Sequence, residues 1–493
     1  MKTLIKRGRR AVIREKLKTA VICLLCAGCV YFTYRVIDLQ YKPSGAGGNF
    51  WSAANPGARN AESALSHENS LSMYLKLAEP DVVMVNRGDN RGILKKDEDG
   101  YERTIDLINK AIQGIYSPNT EISKVSRAAV WNGLLKSNSV YIKFPCEIPT
   151  AFSARFFQTK DSQAAKTLTA CSEALLVPDT ASGRVCVFIP GANGSDEVVK
   201  FTTETFAATL TEAINGLTYI DKKEFAYAYE LNLDKSGSGA QKPGNGTAVL
   251  DPMLIIPLEK VYTKPLIGSV PWEYGQGLSF TQTTDFTMRL LNIFQYNPNT
   301  IRQYADKDGA LMFVSGKGTI GAHPDGRLEY KALDETEGIS LSSNTQTKSD
   351  DLYASAAGLI NVINKIYNLC GIDCINNIST LKFTNISQIK TDSSELNISL
   401  DYYVDGYRVQ LPEGHAAEAV IHGGTLVQLK IWIKSFNTVD REYENAPLLE
   451  AIDAYCAEGT AGKNIKTGTL YYSFKENGTE TDTAWNIQGG QGR

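Results

Sequence analysis

The chain has 493 residues, of which 43% are hydrophobic and 21% charged, with a net charge of −3. That length exceeds what one core serves and implies about two or three domains, and the composition excludes a disordered chain or a fibre. One stretch alone is apolar enough to span a bilayer, which excludes a polytopic channel.

The first 18 residues carry eight Lys/Arg against a single acid, Glu15, and so hold +7; the rest of the chain is left at −10 against the total of −3. An acidic remainder argues against nucleic acid as its partner. From Thr19 to Tyr34 there is no charge, and with Arg35 snorkelling the predicted transmembrane helix runs over 19–37. Apolar and aromatic residues continue past Ala27-Gly28, unlike a cleavable signal peptide, and Cys29 lacks the Leu of a lipoprotein signal. The basic flank places the N-terminus in the cytoplasm and residues 38–493 outside the cell membrane, with a single pass. Thr19, Cys23 and Ala27 recur every four residues. Such small residues let a partner helix approach closely; chance composition in a short span gives the same pattern.

Residues 38–74 read as a stalk, flexible where Gly, Ala, Asn and Pro dominate 42–60. A first α+β domain is expected over 75–232, with a helix at 104–116 carrying Ile105, Ile108, Ile112 and Ile115 on one face. Strands follow at 140–144, 184–189 and 198–201, then a helix at 206–217. A Gly/Ser-rich linker spans 233–247, a middle domain 248–345 and a C-terminal α+β domain 346–493.

The middle part shows strands at 310–316 and 327–333, with a turn at 316–319. The last part opens on a helix starting at Asp350 or Asp351 and stopping at Gly371, with Leu352, Ala356, Leu359, Ile363, Ile366 and Cys370 as its apolar stripe. Hairpins are predicted at Asp405-Gly406, Gly423-Gly424 and Asn477-Gly478, and a helix over 446–456 with Pro447 in its first turn. Hairpin-linked strands with helices on one face give an α+β fold of antiparallel sheets. In strand 425–434, Val427, Leu429, Ile431 and Ile433 share one side, and Gln428, Lys430, Trp432 and Lys434 the other. An aromatic between lysines on a polar side is a candidate partner contact; a further layer over this face would bury it instead.

No nucleophile with a supporting base, and no phosphate loop, is legible, so no enzymatic chemistry is assigned. His67, His323, His415 and His422 are the only histidines; His415 and His422 flank a strand and point apart, which disfavours a shared metal. Cys23, Cys26 and Cys29 lie in the span. Cys146, Cys171, Cys186, Cys370, Cys374 and Cys456 lie outside, where disulfides persist, and their pairing does not follow from spacing.

The basic-flanked anchor, the stretches SNSVYIKFPCEIPTAFSARFF (137–157), IRQYADKDGALMFVSGKGTIGAHPDGRLEY (301–330) and LDYYVDGYRVQL (400–411), and the ending LYYSF…TAWNI resemble the YycH/YycI type of extracytoplasmic regulator. The greater length favours the YycH-like member. The resemblance implies a membrane-anchored regulator without enzymatic activity or cofactor. Its partners would be a WalK-type sensor histidine kinase of a Gram-positive two-component system controlling cell-wall metabolism, and a second related regulator. The rival readings are an extracytoplasmic ligand-binding protein, which requires a lined pocket, and a cell-envelope enzyme, which requires a clefted acid/base set.

Overall fold

The computed structural model describes residues 71–490 except 97, 158, 160, 161, 192–196, 204, 219, 234–248, 280–283, 336, 342–354, 373–378, 389–394 and 458–463. The expected transmembrane helix and the linker at 234–247 lie outside the described residues. No described helix is long and apolar enough to cross a membrane. Residues 68–493 cluster as one compact unit.

The fold is α+β. Its first sheet has seven strands in the order Asn90–Ile93, Val82–Arg87, Ser139–Pro149, Ala170–Asp179, Arg184–Pro190, Glu197–Thr202, Glu121–Ser126. Every ladder in it is antiparallel. The expected return of 198–201 onto 184–189 is present, with Ile189 opposite Val199. Helices Tyr101–Gly114 and Ala207–Gly216 cover one face. The isoleucine stripe works as the spacing requires: Ile105, Ile108 and Ile115 are buried and Ile112 packs at the margin. Pro118, just beyond, disfavours helical backbone at Ser117.

The other face carries a smaller core of Met84, Trp131, Tyr141, Leu175, Phe188 and Tyr227. It is closed partly by helix Arg127–Leu135, whose N-terminal Ser126 hydroxyl accepts the Ala129 N–H. The rest of the cover is the segment 225–231, fastened by an ion pair. Arg91 is fully buried and donates to both Glu230 oxygens, at 2.8 and 2.9 Å, while its guanidinium stacks on Tyr227. Lys223 adds a second cation to Glu230, and the same carboxylate accepts the Tyr227 N–H.

The second sheet has thirteen strands and draws on residues both before and after 334–350. Its order is Arg302–Ala305, Leu311–Ser315, Gly318–Ala322, Arg327–Ala332, Thr425–Trp432, Ala417–His422, Glu395–Val404, Tyr407–Gln410, Asn464–Ser473, Thr483–Gly490. Ser379–Gln388, Ile339–Ser340 and Val249–Leu250 pair beside this path. Two ladders on Asn464–Ser473 are parallel. The turns at Asp405-Gly406 and Gly423-Gly424 have positive φ at both positions, as a two-residue hairpin requires. The expected turn at Asn477-Gly478 does not join its strands directly. Tyr472 already faces Thr483, and the excursion between them sends Glu480–Thr481 to pair with Leu266–Ser269.

Helix Ala356–Leu369 ends ahead of Gly371, whose φ is +72°. Leu359, Ile363 and Ile366 enter one core with Leu400, Ile421, Leu429 and Ile431. Tyr74 stacks on Phe156 at 4.3 Å, and Phe152 meets Phe383 edge-on, so the first sheet packs onto strand Ser379–Gln388.

The Arg91–Glu230 pair generates a stability prediction. Glu230→Ala leaves a buried guanidinium without its carboxylate and should cost about 3–5 kcal/mol in urea unfolding. Arg91→Met combined with Glu230→Leu should recover most of that loss. A single variant as stable as the parent would show that the pair is not what fastens the segment.

Candidate functional site

Strand Thr425–Trp432 organises the polar face of the large sheet. Leu426, Leu429, Ile431 and the following Ile433 are buried in the core. Val427, expected on that side, is instead the extra residue of a bulge, because Ile421 pairs with Leu426 and Val420 with Gln428. Opposed residues of an antiparallel ladder share a face. Register therefore lays out one row through Tyr304, Met312, Gly321, Glu329, Lys430, Glu418 and Ser399. The row beside it runs through Arg302, Val314, Thr319, Lys331, Gln428, Val420 and Asn397.

Trp432 is on the polar side, as alternation requires, but it is only 6% exposed. Its indole N–H donates to the Glu413 carbonyl at 3.0 Å. Arg327, Lys430 and Lys434 stand 5.8, 5.7 and 5.4 Å from the ring. The connection at 411–416 and these cations lie against it. Lys434 is buried, which lowers its pKa, and its ammonium donates to Asp325 O and Asn477 Oδ1. Arg327 lies between Glu329 at 3.3 Å and Glu413 at 3.7 Å, and Lys430 is 3.8 Å from Glu413. His323 Nδ1 accepts from the Arg327 guanidinium, and His323 faces Glu329 at 3.6 Å.

The same connection carries His415 to Asp401. The ladder places Leu400 opposite Ala417, so Asp401 projects beside residues 415–416. Its carboxylate, 2% exposed, meets His415 Nδ1 at 3.1 Å, Arg408 Nη2 at 2.5 Å and the Ala416 N–H at 3.2 Å. Burial acts to raise the Asp401 pKa, but the His415 hydrogen bond, Arg408 and the Ala416 N–H outweigh it and hold the carboxyl below its ordinary range. The Asp401 hydrogen bond raises His415 above its ordinary value against the effect of burial. Close by, Lys382 is buried, donates to Pro80 O at 2.8 Å and lies over the Tyr403 ring. It ties the entry to the first sheet onto this corner.

Neither Asp401 nor Arg408 stands out in the sequence as a site residue, and His415 does so only as a possible metal ligand. Asp401 and His415 are fourteen residues apart and meet only through strand pairing. The one local signal was a His directly after the turn residues Pro412-Glu413-Gly414. His422, at the other end of its strand, faces Glu335. Among the described residues no His/Cys/Asp/Glu group suits a metal ion. Thr384 Oγ1 sits 3.4 Å from the same His415 nitrogen that faces Asp401. That is not the arrangement of a nucleophile, which occupies the opposite ring nitrogen from its orienting acid. Cys146, Cys171, Cys186, Cys370 and Cys456 are free thiols, and burial pushes Cys171 and Cys146 up to about 12, far from the reactive range. Thr19, Cys23 and Ala27 lie outside the described residues, as does Cys374.

No protein-family model matches the sequence, and no curated protein matches it. A solved structure does: the crystal structure of YycH from Bacillus subtilis, at TM-score 0.51 and 12% identity, covering 84% of this chain and 96% of that one. The chain has a YycH-like fold.

The Asp401–His415 tie predicts a pH signature. His415, raised in the folded state, contributes fully below its unfolded value of about 6.5, and the contribution is lost as pH rises through the folded value. Asp401, depressed, contributes fully above about 3.9 and loses it as pH falls. The two overlap from about pH 4 to about 6.5. His415→Gln keeps a neutral donor and removes the titration, so its deficit in unfolding free energy should peak in that window and narrow toward alkaline pH. A deficit that is flat across a urea-unfolding pH series would show that the pair does not titrate as a unit.

Proposed function

We propose that this chain is a membrane-anchored, non-enzymatic regulator, held by one N-terminal helix with its folded part outside the cytoplasmic membrane. It acts on a sensor histidine kinase of a two-component system that controls cell-wall metabolism, alongside a second related regulator. The observation that carries this reading is the extent of the YycH likeness: the alignment spans 84% of this chain and 96% of the other, rather than one module of it. The sequence supports it independently, through the +7 tail ahead of the apolar 19–37 stretch.

A Gly/Ala/Asn-rich composition such as that of 42–60 is not expected to transmit leverage, so the anchor and the outer domains must each contact the kinase. Both contacts are tethered to one membrane, which raises their effective concentration and lets each be weak. On the helix, the contact falls on the Thr19, Cys23 and Ala27 face, where small residues admit a neighbouring backbone.

Protease added outside intact protoplasts should remove the folded part and spare the tail; full protection would refute the topology. Crosslinking to a co-expressed histidine kinase from the same genome should fall when Cys23 and Ala27 are both changed to Leu. It should persist when Leu24 and Leu25 are changed to Ile. Equal yields for the two variants would remove the helix face from the contact. No crosslink for the unaltered protein would count against the kinase as partner.

A further inference from the structure

The polar face of the large sheet carries cations that the fold does not use. Arg302 and Lys331 are exposed, and neither side chain makes a hydrogen bond or ion pair among the described residues. They share one row, separated by Val314 and Thr319 on the two intervening strands, so their backbones stand about 14 Å apart at the usual strand spacing. Tyr304, 47% exposed, and the half-buried Met312 lie in the neighbouring row. Lys430 continues that row; besides the Trp432 ring, its ion-pair partner among the described residues is Glu413 at 3.8 Å, beyond the 2.7–2.9 Å of a charge-assisted hydrogen bond. The acids here are already engaged. Glu329 faces Arg327 and His323, Glu413 faces Arg327 and Lys430, and Glu418 accepts the His415 N–H.

We propose that this face docks an extended acidic segment of a partner protein, with carboxylates on Arg302, Lys331 and Lys430 and an apolar contact on Tyr304. Spacing decides the ligand class. A single phosphate or carboxylate does not reach cations about 14 Å apart, whereas an extended peptide rises about 3.3 Å per residue and presents acids on one side at every second position. Charge complementarity decides the partner's sign, since unpaired cations gather here although residues 19–493 total −10. Glu413, 62% exposed, occupies by reach from its loop the position an incoming carboxylate would take at Lys430 and Arg327, and so acts as an internal competitor. The proposal does not depend on the partner's being a kinase, and its test uses a peptide, so its failure leaves the kinase reading standing.

The probe is a fluorescein-labelled peptide of alternating Glu and Ser, read by anisotropy on the full chain in detergent, with an alternating Gln-Ser peptide as control. The Glu peptide should bind saturably and weaken with salt, and the Gln peptide should not bind. Arg302→Gln with Lys331→Gln, both exposed and unpaired, should leave the melting temperature unchanged and lower affinity by about tenfold. Glu413→Gln should tighten binding several-fold, which a merely structural loop residue would not do. The proposal is overturned by an unaffected double variant, by equal binding of the Gln peptide, or by no saturable binding. Binding of phosphatidylglycerol vesicles with the same variant dependence, in place of the peptide, overturns it in favour of a lipid surface.

Discussion

Asp401 lies in the middle of strand Glu395–Val404, almost without solvent, and a carboxylate there is tolerated only when donors and cations surround it. That requirement fixes much of what lies around it. Arg408 comes from the returning arm of the Asp405-Gly406 hairpin, so the turn must close in register for the guanidinium to arrive. His415 and the Ala416 N–H come from the connection at 411–416, which is thereby held against the strand. Once that connection is in place, the Glu413 carbonyl meets the Trp432 indole and closes the ring off from water. One buried charge thus couples the central strand, a hairpin, a loop and the covered aromatic.

Local pattern in the sequence reached as far as the elements and their faces. The alternation in 425–434 assigns Trp432 and Lys430 to the polar side, and the ladders agree; Lys434, just past the strand, lies over the Trp432 ring. The isoleucine spacing places one helix within a few residues and Gly371 the end of another, whose expected start at Asp350 or Asp351, with Leu352, lies outside the described residues. Asp-Gly and Gly-Gly turns carry their own backbone requirement, so two hairpins were visible from four residues. The large sheet's order was not visible, because it depends on which distant strands pair, and no short-range signal encodes that.

The failures share a cause. Trp432 is covered by residues 411–416, far from it in sequence, so alternation gives its side of the sheet but not its exposure. Asn477-Gly478 has turn chemistry, and Gly478 does adopt positive φ, but the turn serves a longer excursion in which Gly478 N–H donates to Gly268 O. Val427 breaks the alternation because a bulge inserts one residue, and nothing in TLVQLKIW marks where.

The distribution of charge between inner and outer positions separates what holds the fold from what is left for a partner. Arg91, Lys382 and Lys434 are buried, and each has found an acceptor: Glu230, the Pro80 carbonyl, and Asp325 O with Asn477 Oδ1. Removing such an acceptor strands a buried cation, so these residues answer to stability. Arg302 and Lys331 are exposed and make no side-chain hydrogen bond or ion pair among the described residues, so losing them strands no described partner. Arg302 also lies on an edge strand, Arg302–Ala305, which bonds on one side only, to Leu311–Ser315. Charge on an edge discourages indiscriminate strand addition. A charge of one sign does so selectively: it repels a basic strand and admits an acidic one. Arg302 thus guards this edge and, with Lys331 on the interior strand Arg327–Ala332, sets the sign of the segment the face accepts.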